Sequence, residues 1–137
     1  MGHRILCAID GTDHSHRALD MAAEMAAKLG AGLTICSVNV VMGSGRGPLI
    51  SAKPDAEVEA LLKTAAAAAE KAGVKDVKWS LLRSREAATG VVMYAEDGKY
   101  DIIVTGTGDK QGLSRLVLGS VAADIASRAH CSVMVAR

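Results

Sequence analysis

The sequence has almost no aromatic side chains. Its 137 residues include no Phe, one Trp and two Tyr, although half of them are hydrophobic. The core of the folded protein must therefore be built from Ala, Val, Leu, Ile and Met. Aromatic platforms on which single-stranded bases stack are missing as well, which argues against that mode of nucleic-acid binding.

The chain also lacks a large excess of either positive or negative charge. The chain has 16 basic and 15 acidic residues, a formal net charge of +1. This balance gives no electrostatic attraction to nucleic acid or to an anionic membrane surface. No apolar run is long enough to span a bilayer, and the first residues show no signal-peptide core. We expect a cytoplasmic protein that binds neither nucleic acid nor membrane.

Cysteine spacings typical of metal or redox sites are absent. Cys7, Cys36 and Cys131 lie far apart, each in an apolar run. No two of them have zinc-like or redox spacing, so we expect buried, reduced thiols.

The sequence shows no arrangement typical of a catalytic site. Neither Ser15 nor Ser120 lies in a Gly-x-Ser-x-Gly elbow, which argues against a serine hydrolase. His14 and His16 are two residues apart, a spacing that places them on different faces of a helix rather than in a chelating pair. We predict no catalytic residue.

Short apolar runs alternate with helical patterns along the whole chain. The helical patterns cover residues 17–29, 54–71, 86–97 and 121–129. The apolar runs, which predict five strands, cover residues 4–9, 33–38, 77–82, 101–105 and 131–136. Alternation of this kind favours one α/β domain, residues 1–137, with an open parallel sheet and helices on both faces.

Two glycine-bearing stretches follow predicted strands. Residues 42–48 lack the closing Lys-Ser/Thr of a P-loop, and we interpret them as a surface loop or mobile lid. Residues 106–120 lead from a strand to a helix, the context in which backbone amides cradle phosphate. Gly119 and Ser120 would place an anion at the favourable end of the helix dipole.

Residues 4–12, 17–19, 101–104, Gly106 and the pair Gly119-Ser120 together resemble the universal stress protein family, over essentially the whole chain. The resemblance implies a five-stranded, nucleotide-binding-like fold with strand order 3-2-1-4-5 and, commonly, a homodimer. The family includes members that bind ATP and members that do not.

The ATP-binding members share the pattern Gly, two residues, Gly, nine residues, Gly and Ser or Thr. Gly106, Gly119 and Ser120 match it, whereas Asp109 occupies the position of the middle glycine. A carboxylate there would repel a triphosphate, or else contact a Mg²⁺ that bridges phosphate oxygens. The pattern leaves both consequences open.

Three further positions match the family's nucleotide site. Asp10 corresponds to an acidic residue beside the nucleoside, Val38 to a residue packed against adenine, and Val121 to a backbone N–H donor to phosphate. Each also has a structural interpretation: Asp10 as a turn or helix-capping residue, and the two valines as ordinary core residues.

The resemblance implies a stress-response regulatory protein that binds an adenine nucleotide, ATP, at the carboxyl ends of strands one and four without rapid turnover. Mg²⁺ would accompany the ATP if Asp109 contacts it. The alternative is a dimeric, partner-binding stress protein with a vestigial site and an unidentified protein partner; an ATPase using Asp109 and Mg²⁺ is a weaker third. The apolar strand at 132–136, at a sheet edge, is the expected homodimer contact.

Overall fold

A computed structural model describes residues 3–43, 46–108 and 118–137. Strands and helices alternate along these ranges, apart from one short additional strand. The elements are β1 (Arg4–Ala8), α1 (Asp13–Leu29), β2 (Gly32–Met42), β3 (Ile50–Ser51), α2 (Asp55–Lys71), β4 (Val77–Ser84), α3 (Ala87–Asp97), β5 (Ile102–Gly106), α4 (Ser120–Arg128) and β6 (Ser132–Ala136).

The sheet confirms the predicted α/β class. β1 pairs in parallel with β2 and with β5, β2 pairs in parallel with β4, and β5 with β6. The predicted count of five strands is wrong, because β3 adds a short antiparallel pairing to the end of β2. The sheet path is therefore β3-β2-β1-β5-β6, with β4 also paired to β2.

The sequence analysis missed β3 because it ended the second strand too early. Asn39 interrupts the apolar run after Val38, yet β2 continues through it to Met42. Asn39 is only 2% exposed. Its amide group donates to Lys53 O at 2.8 Å and accepts from Lys53 N at 3.1 Å, so the polar side chain is satisfied within the fold. These bonds hold the segment after β3 against β2.

Two hydrophobic clusters cover the two faces of the sheet. One includes the apolar sides of α1 and α2, and the other those of α3 and α4. Small alanines such as Ala18, Ala22 and Ala26 replace the missing aromatics and are at most 1% exposed. One buried tyrosine, Tyr100, donates its hydroxyl to Thr34 Oγ1 at 2.8 Å. The aromatic-poor composition is therefore compatible with a packed interior.

The three cysteines are free thiols. Cys7 and Cys36 are fully buried as predicted, whereas Cys131 is only partly buried. Burial raises the pKa of the Cys36 thiol to about 12 and also raises that of Cys7, so both remain protonated.

Helix α1 begins four residues before the predicted start. Thr12 caps it, its hydroxyl accepting from Ser15 N at 3.3 Å, and Asp13 lies in the first turn. The polar residues 13–16 had concealed this turn, because they carry no apolar periodicity. In the described ranges, no helix has both the length and the hydropathy of a membrane-crossing segment.

Candidate functional site

The site lies where the carboxyl ends of β1 and β5 separate. From β1 the chain crosses to β2 on one side, while β5 pairs on the other side of β1. Open parallel sheets bind ligands at such a reversal of strand order. A cavity of about 110 Å³ lies there, and we call it the α4 cavity. Four of the predicted residues line it: Asp10, Val38, Gly106 and Val121.

A second cavity lies on the other side of Asp10, towards α2. It has a volume of about 370 Å³, and we call it the α2 cavity. Asp10 and Val38 line both cavities, so the two adjoin at these residues. Lys53 and Glu57 supply the other charged groups of the α2 cavity. The sequence analysis had not assigned Lys53 any role.

Asp10 has a structural role as well as a position at the cavity wall. Its carboxylate accepts hydrogen bonds from Thr12 N at 3.0 Å and from the Thr12 hydroxyl at 2.6 Å. Burial would raise the pKa of Asp10, but the hydrogen bonds of Thr12 and Ser15 and the positive charge of Lys53 hold it below its usual value. Asp10 is therefore the turn residue of the structural interpretation, and its carboxylate is ionised at neutral pH.

Gly106 is required by chain packing. A Cβ at this position would lie 2.6 Å from the backbone C and O atoms of His14. The end of β5 thus lies directly against the first turn of α1, and only glycine allows this approach. The sequence analysis matched this glycine only to the family's ATP-binding pattern, and the structure adds a steric reason for it.

Gly108 and Gly119 lie so close together that neither position has room for a side chain. Gly108 has φ +87°, and a Cβ on it would lie 2.8 Å from Gly119 Cα. Gly119 N donates to Thr107 O at 2.6 Å, which holds the two segments together. The glycine pattern therefore has a steric explanation even without a nucleotide.

Helix α4 begins at the wall of the α4 cavity. Ser120 is its first residue, preceded by Gly119, which has no side chain to cap the helix. The first N–H groups of a helix have no partners within the helix, and the dipole makes this end attractive to anions. Val121 and Ala122 line the cavity. The start of α4 is thus a suitable position for a phosphate group.

Several residues that line the α4 cavity were not assigned to it from the sequence, among them Thr12, His14 and Gly108. The His14 Nδ1 atom lies 3.0 Å from both Thr107 Oγ1 and the Arg17 guanidinium group. The sequence analysis considered His14 only as a metal ligand. The available signal was its position in the first turn of α1, two residues after the cap Thr12.

One predicted site residue lies outside the described residues. Asp109, which occupies the motif's middle glycine position, falls within 109–117. Part of the glycine-rich loop predicted at 42–48 also falls outside, since residues 44–45 are not described. Met42 at its start belongs to β2.

Comparison with known proteins gives consistent matches over the full chain. Residues 1–137 match the model of the Universal stress protein family. A universal stress protein of Methanocaldococcus jannaschii is 35% identical over 141 residues, which cover 98% of this chain and 81% of that protein. One of Bacillus subtilis is 30% identical over 149 residues, covering 100% of both chains.

Two solved structures extend this likeness to three dimensions. A universal stress protein in complex with cAMP is 29% identical, with a TM-score of 0.77 and coverage of 99% of this chain and 97% of that chain. One from Archaeoglobus fulgidus has a TM-score of 0.81 at 24% identity, covers 100% of both chains and supports the fold.

Proposed function

The chain belongs to the universal stress protein family, and on that basis we propose that it binds an adenine nucleotide, ATP, at the carboxyl ends of β1 and β5. In this proposal the bound nucleotide regulates a stress response and is not rapidly hydrolysed. The observation that carries the proposal is the convergence of Asp10, Val38, Gly106 and Val121 on one cavity. These residues come from four separate parts of the chain.

The chemistry of the cavity suits a nucleotide. Val38 and Val91 offer apolar surface, Asp10 offers an ionised acceptor for a sugar hydroxyl, and the start of α4 offers backbone donors. A relative of known structure, 29% identical to this chain, was solved in complex with cAMP. That relative supports an adenine nucleotide as the class of ligand.

We expect slow turnover because Asp10 and His14, the possible general bases that the described residues bring to the α4 cavity, already have hydrogen-bond partners. Among the described residues that line the α4 cavity, Asp10 is the one carboxylate, and it already accepts two hydrogen bonds from Thr12. Its lowered pKa makes it a weak general base. Asp10 is thus better suited to hold a ligand than to activate water.

Binding is tested directly on the purified protein. Acid extraction followed by chromatography identifies any retained nucleotide, and calorimetric titration measures affinity for ATP with and without Mg²⁺. We expect a one-to-one complex and an increase in the melting temperature. No retained nucleotide, no heat of binding and no thermal shift with Mg-ATP would together refute the proposal and favour the vestigial-site alternative.

Asp109 decides how a metal ion would enter this function. If the carboxylate repels the triphosphate, Asp109→Gly tightens ATP binding with or without metal. If it holds a Mg²⁺ that bridges phosphate oxygens, the same variant loses Mg²⁺ dependence. Titrations of both proteins with ATP, in Mg²⁺ and in EDTA, separate the two accounts. Equal affinity in all four titrations would contradict both.

We also propose that the protein forms a homodimer through β6, the last strand of the sheet path. Ser132 N donates to Asp101 O, so the N–H groups of Val133 and Val135, which alternate with it, face the open edge. Such an edge is able to pair with a second copy or with an unidentified protein partner.

The edge is tested with a proline. Val135→Pro removes an outward N–H group while leaving the bonds to β5, so we expect monomers in sedimentation at concentrations where the unaltered protein is dimeric. Met134→Pro is the matched variant on the β5 side, and it should lower stability instead. A Val135→Pro protein that remains fully dimeric would contradict this interface.

A further inference from the structure

The two cavities beside Asp10 differ in size in a way that limits where a nucleotide fits. Pockets for small ligands typically measure about 300–1,000 Å³. The α4 cavity, as bounded by the described residues, measures about 110 Å³ and lies below that range. The adjoining α2 cavity, at about 370 Å³, lies within it. The α2 cavity therefore offers the room that the larger organic part of a nucleotide anchored at α4 would occupy.

The charges of the α2 cavity give the phosphate end no net attraction. Its lining carries two carboxylates, Asp10 and Glu57, and one ammonium group, Lys53. This net negative charge repels a polyphosphate. Apolar groups line the same cavity, among them Val38, the buried Val58 and Leu61. An apolar wall with a few polar groups is typical of a site for a neutral ring.

Lys53 is held in this cavity by a buried side chain. Asn39 is 2% exposed and binds both the N–H and the carbonyl of Lys53, at 3.1 Å and 2.8 Å. It also donates to Asp55 Oδ1 at 3.1 Å, and Asp55 pairs with Arg83. The backbone of Lys53 is thus anchored at two points by one amide group, which fixes the place from which its side chain extends.

We propose that the α2 cavity is the base subsite of the nucleotide site, and that Lys53 and Glu57 contact the polar edge of adenine. This inference rests on the proposed function. An adenine edge presents an amine donor beside a ring-nitrogen acceptor. The Glu57 carboxylate accepts from the amine, and the Lys53 ammonium group donates to the ring nitrogen. Lys53 and Glu57 are therefore specificity-determining residues.

A structural interpretation of Glu57 makes a different prediction. Glu57 lies in the first turn of α2, where a carboxylate interacts favourably with the helix dipole. If that were its whole role, Glu57→Gln would lower the melting temperature slightly and leave ligand preference unchanged. Preference between two bases is therefore the decisive readout.

The test is a titration panel with adenosine, ATP and inosine, whose base carries an oxygen acceptor in place of the amine. We expect Lys53→Met and Glu57→Gln each to weaken adenosine and ATP by the same factor, about tenfold for one lost hydrogen bond. Glu57→Gln should also reduce the preference for adenosine over inosine, because a glutamine amide can donate to the oxygen. Lys63→Met and Glu70→Gln, exposed on α2 and outside the cavity, are the matched controls.

Each result has a defined meaning. Loss of ATP affinity with unchanged adenosine affinity would place Lys53 at the phosphates and overturn the base assignment. Unchanged affinities in both variants, with binding intact in the unaltered protein, would overturn this inference alone. No binding of any adenine compound by the unaltered protein would refute the proposed function, and the base subsite with it.

Discussion

The two cavities beside Asp10 differ in the groups that line them. The α4 cavity is small and is shaped largely by backbone, with Gly106, Gly108 and the uncapped start of α4 at its wall. The α2 cavity is larger and takes its polar character from the side chains of Lys53 and Glu57. Backbone donors suit a phosphate, whose geometry is the same in every nucleotide, whereas side chains suit a base, which must be distinguished from others.

The comparison also separates what packing requires from what a ligand requires. Gly106 faces the backbone of His14, and Gly108 faces Gly119, so these glycines are explained by the fold itself. Lys53 and Glu57 instead line the α2 cavity with charged side chains, for which we propose contact with a ligand. A family member that had lost its ligand would keep the glycines and could change Lys53 and Glu57 freely.

The largest effect is expected at Gly106. Gly106→Ala places a Cβ against the His14 backbone, and we expect a loss of about 2–3 kcal/mol in the free energy of unfolding. Gly30→Ala is the control, because nothing lies within 4 Å of that position and its left-handed φ alone costs about 1 kcal/mol. Chemical denaturation measures both. Equal losses of unfolding free energy in the two variants would show that the close approach to His14 does not require glycine at position 106.

The next effect is on phosphate binding at the α4 cavity. Val121 is 42% exposed, so Val121→Glu is tolerated by the fold and adds a negative charge beside the proposed phosphate position. We expect ATP affinity to fall about tenfold or more, and adenosine affinity to change little.

The matched control for this charge is Ala126→Glu, at an exposed position of the same helix outside the cavity. It should leave ATP affinity nearly unchanged. If the two variants weakened ATP to the same extent, the effect would be one of net charge, and the phosphate would not lie at the start of α4.

A smaller effect is expected at Thr12, which lies between helix α1 and Asp10. Thr12→Ala removes the cap of α1 and the hydroxyl bond to Asp10, which should cost about 1 kcal/mol of stability. Thr64→Ala, on an exposed face of α2, makes the same chemical change without a cap. Thermal unfolding should show the first protein destabilised and the second unchanged or slightly stabilised. A Thr12→Ala protein with the same thermal stability as the unaltered protein would refute the capping role.

The smallest effect concerns the protonation of Asp10. Its pKa is lowered in the folded state, so its contribution to stability is present above the unfolded pKa and is lost as pH falls through the folded pKa. Removing the positive charge with Lys53→Met should raise the pKa of Asp10. Carboxyl-carbon NMR titration measures this shift, with Lys63→Met as the control. An unchanged Asp10 pKa would show that Lys53 does not face the shared wall of the two cavities.

The sequence predicted the fold class well because apolar periodicity is a local signal. The run of alanines between Pro54 and Lys71 predicted α2, which the structure places at Asp55–Lys71. The prediction from the sequence failed where a polar residue is buried. Asn39 resembles the end of a strand in the sequence, and only its long-range hydrogen bonds to Lys53 reveal that β2 continues. The sequence located the α4 cavity because Asp10, Val38, Gly106 and Val121 match positions of the family's nucleotide site. It missed the α2 cavity because Lys53 and Glu57 match none of those positions.

The central claim is that one nucleotide spans both cavities across Asp10. Amide chemical-shift mapping of the isotope-labelled protein with AMP tests it most directly, because AMP has one base and one phosphate. The account predicts two groups of shifted amides, one at Ser120–Ala122 and one at Lys53–Val58, that saturate together at the same AMP concentration. Shifts at the start of α4 with none at Lys53–Val58 would contradict it.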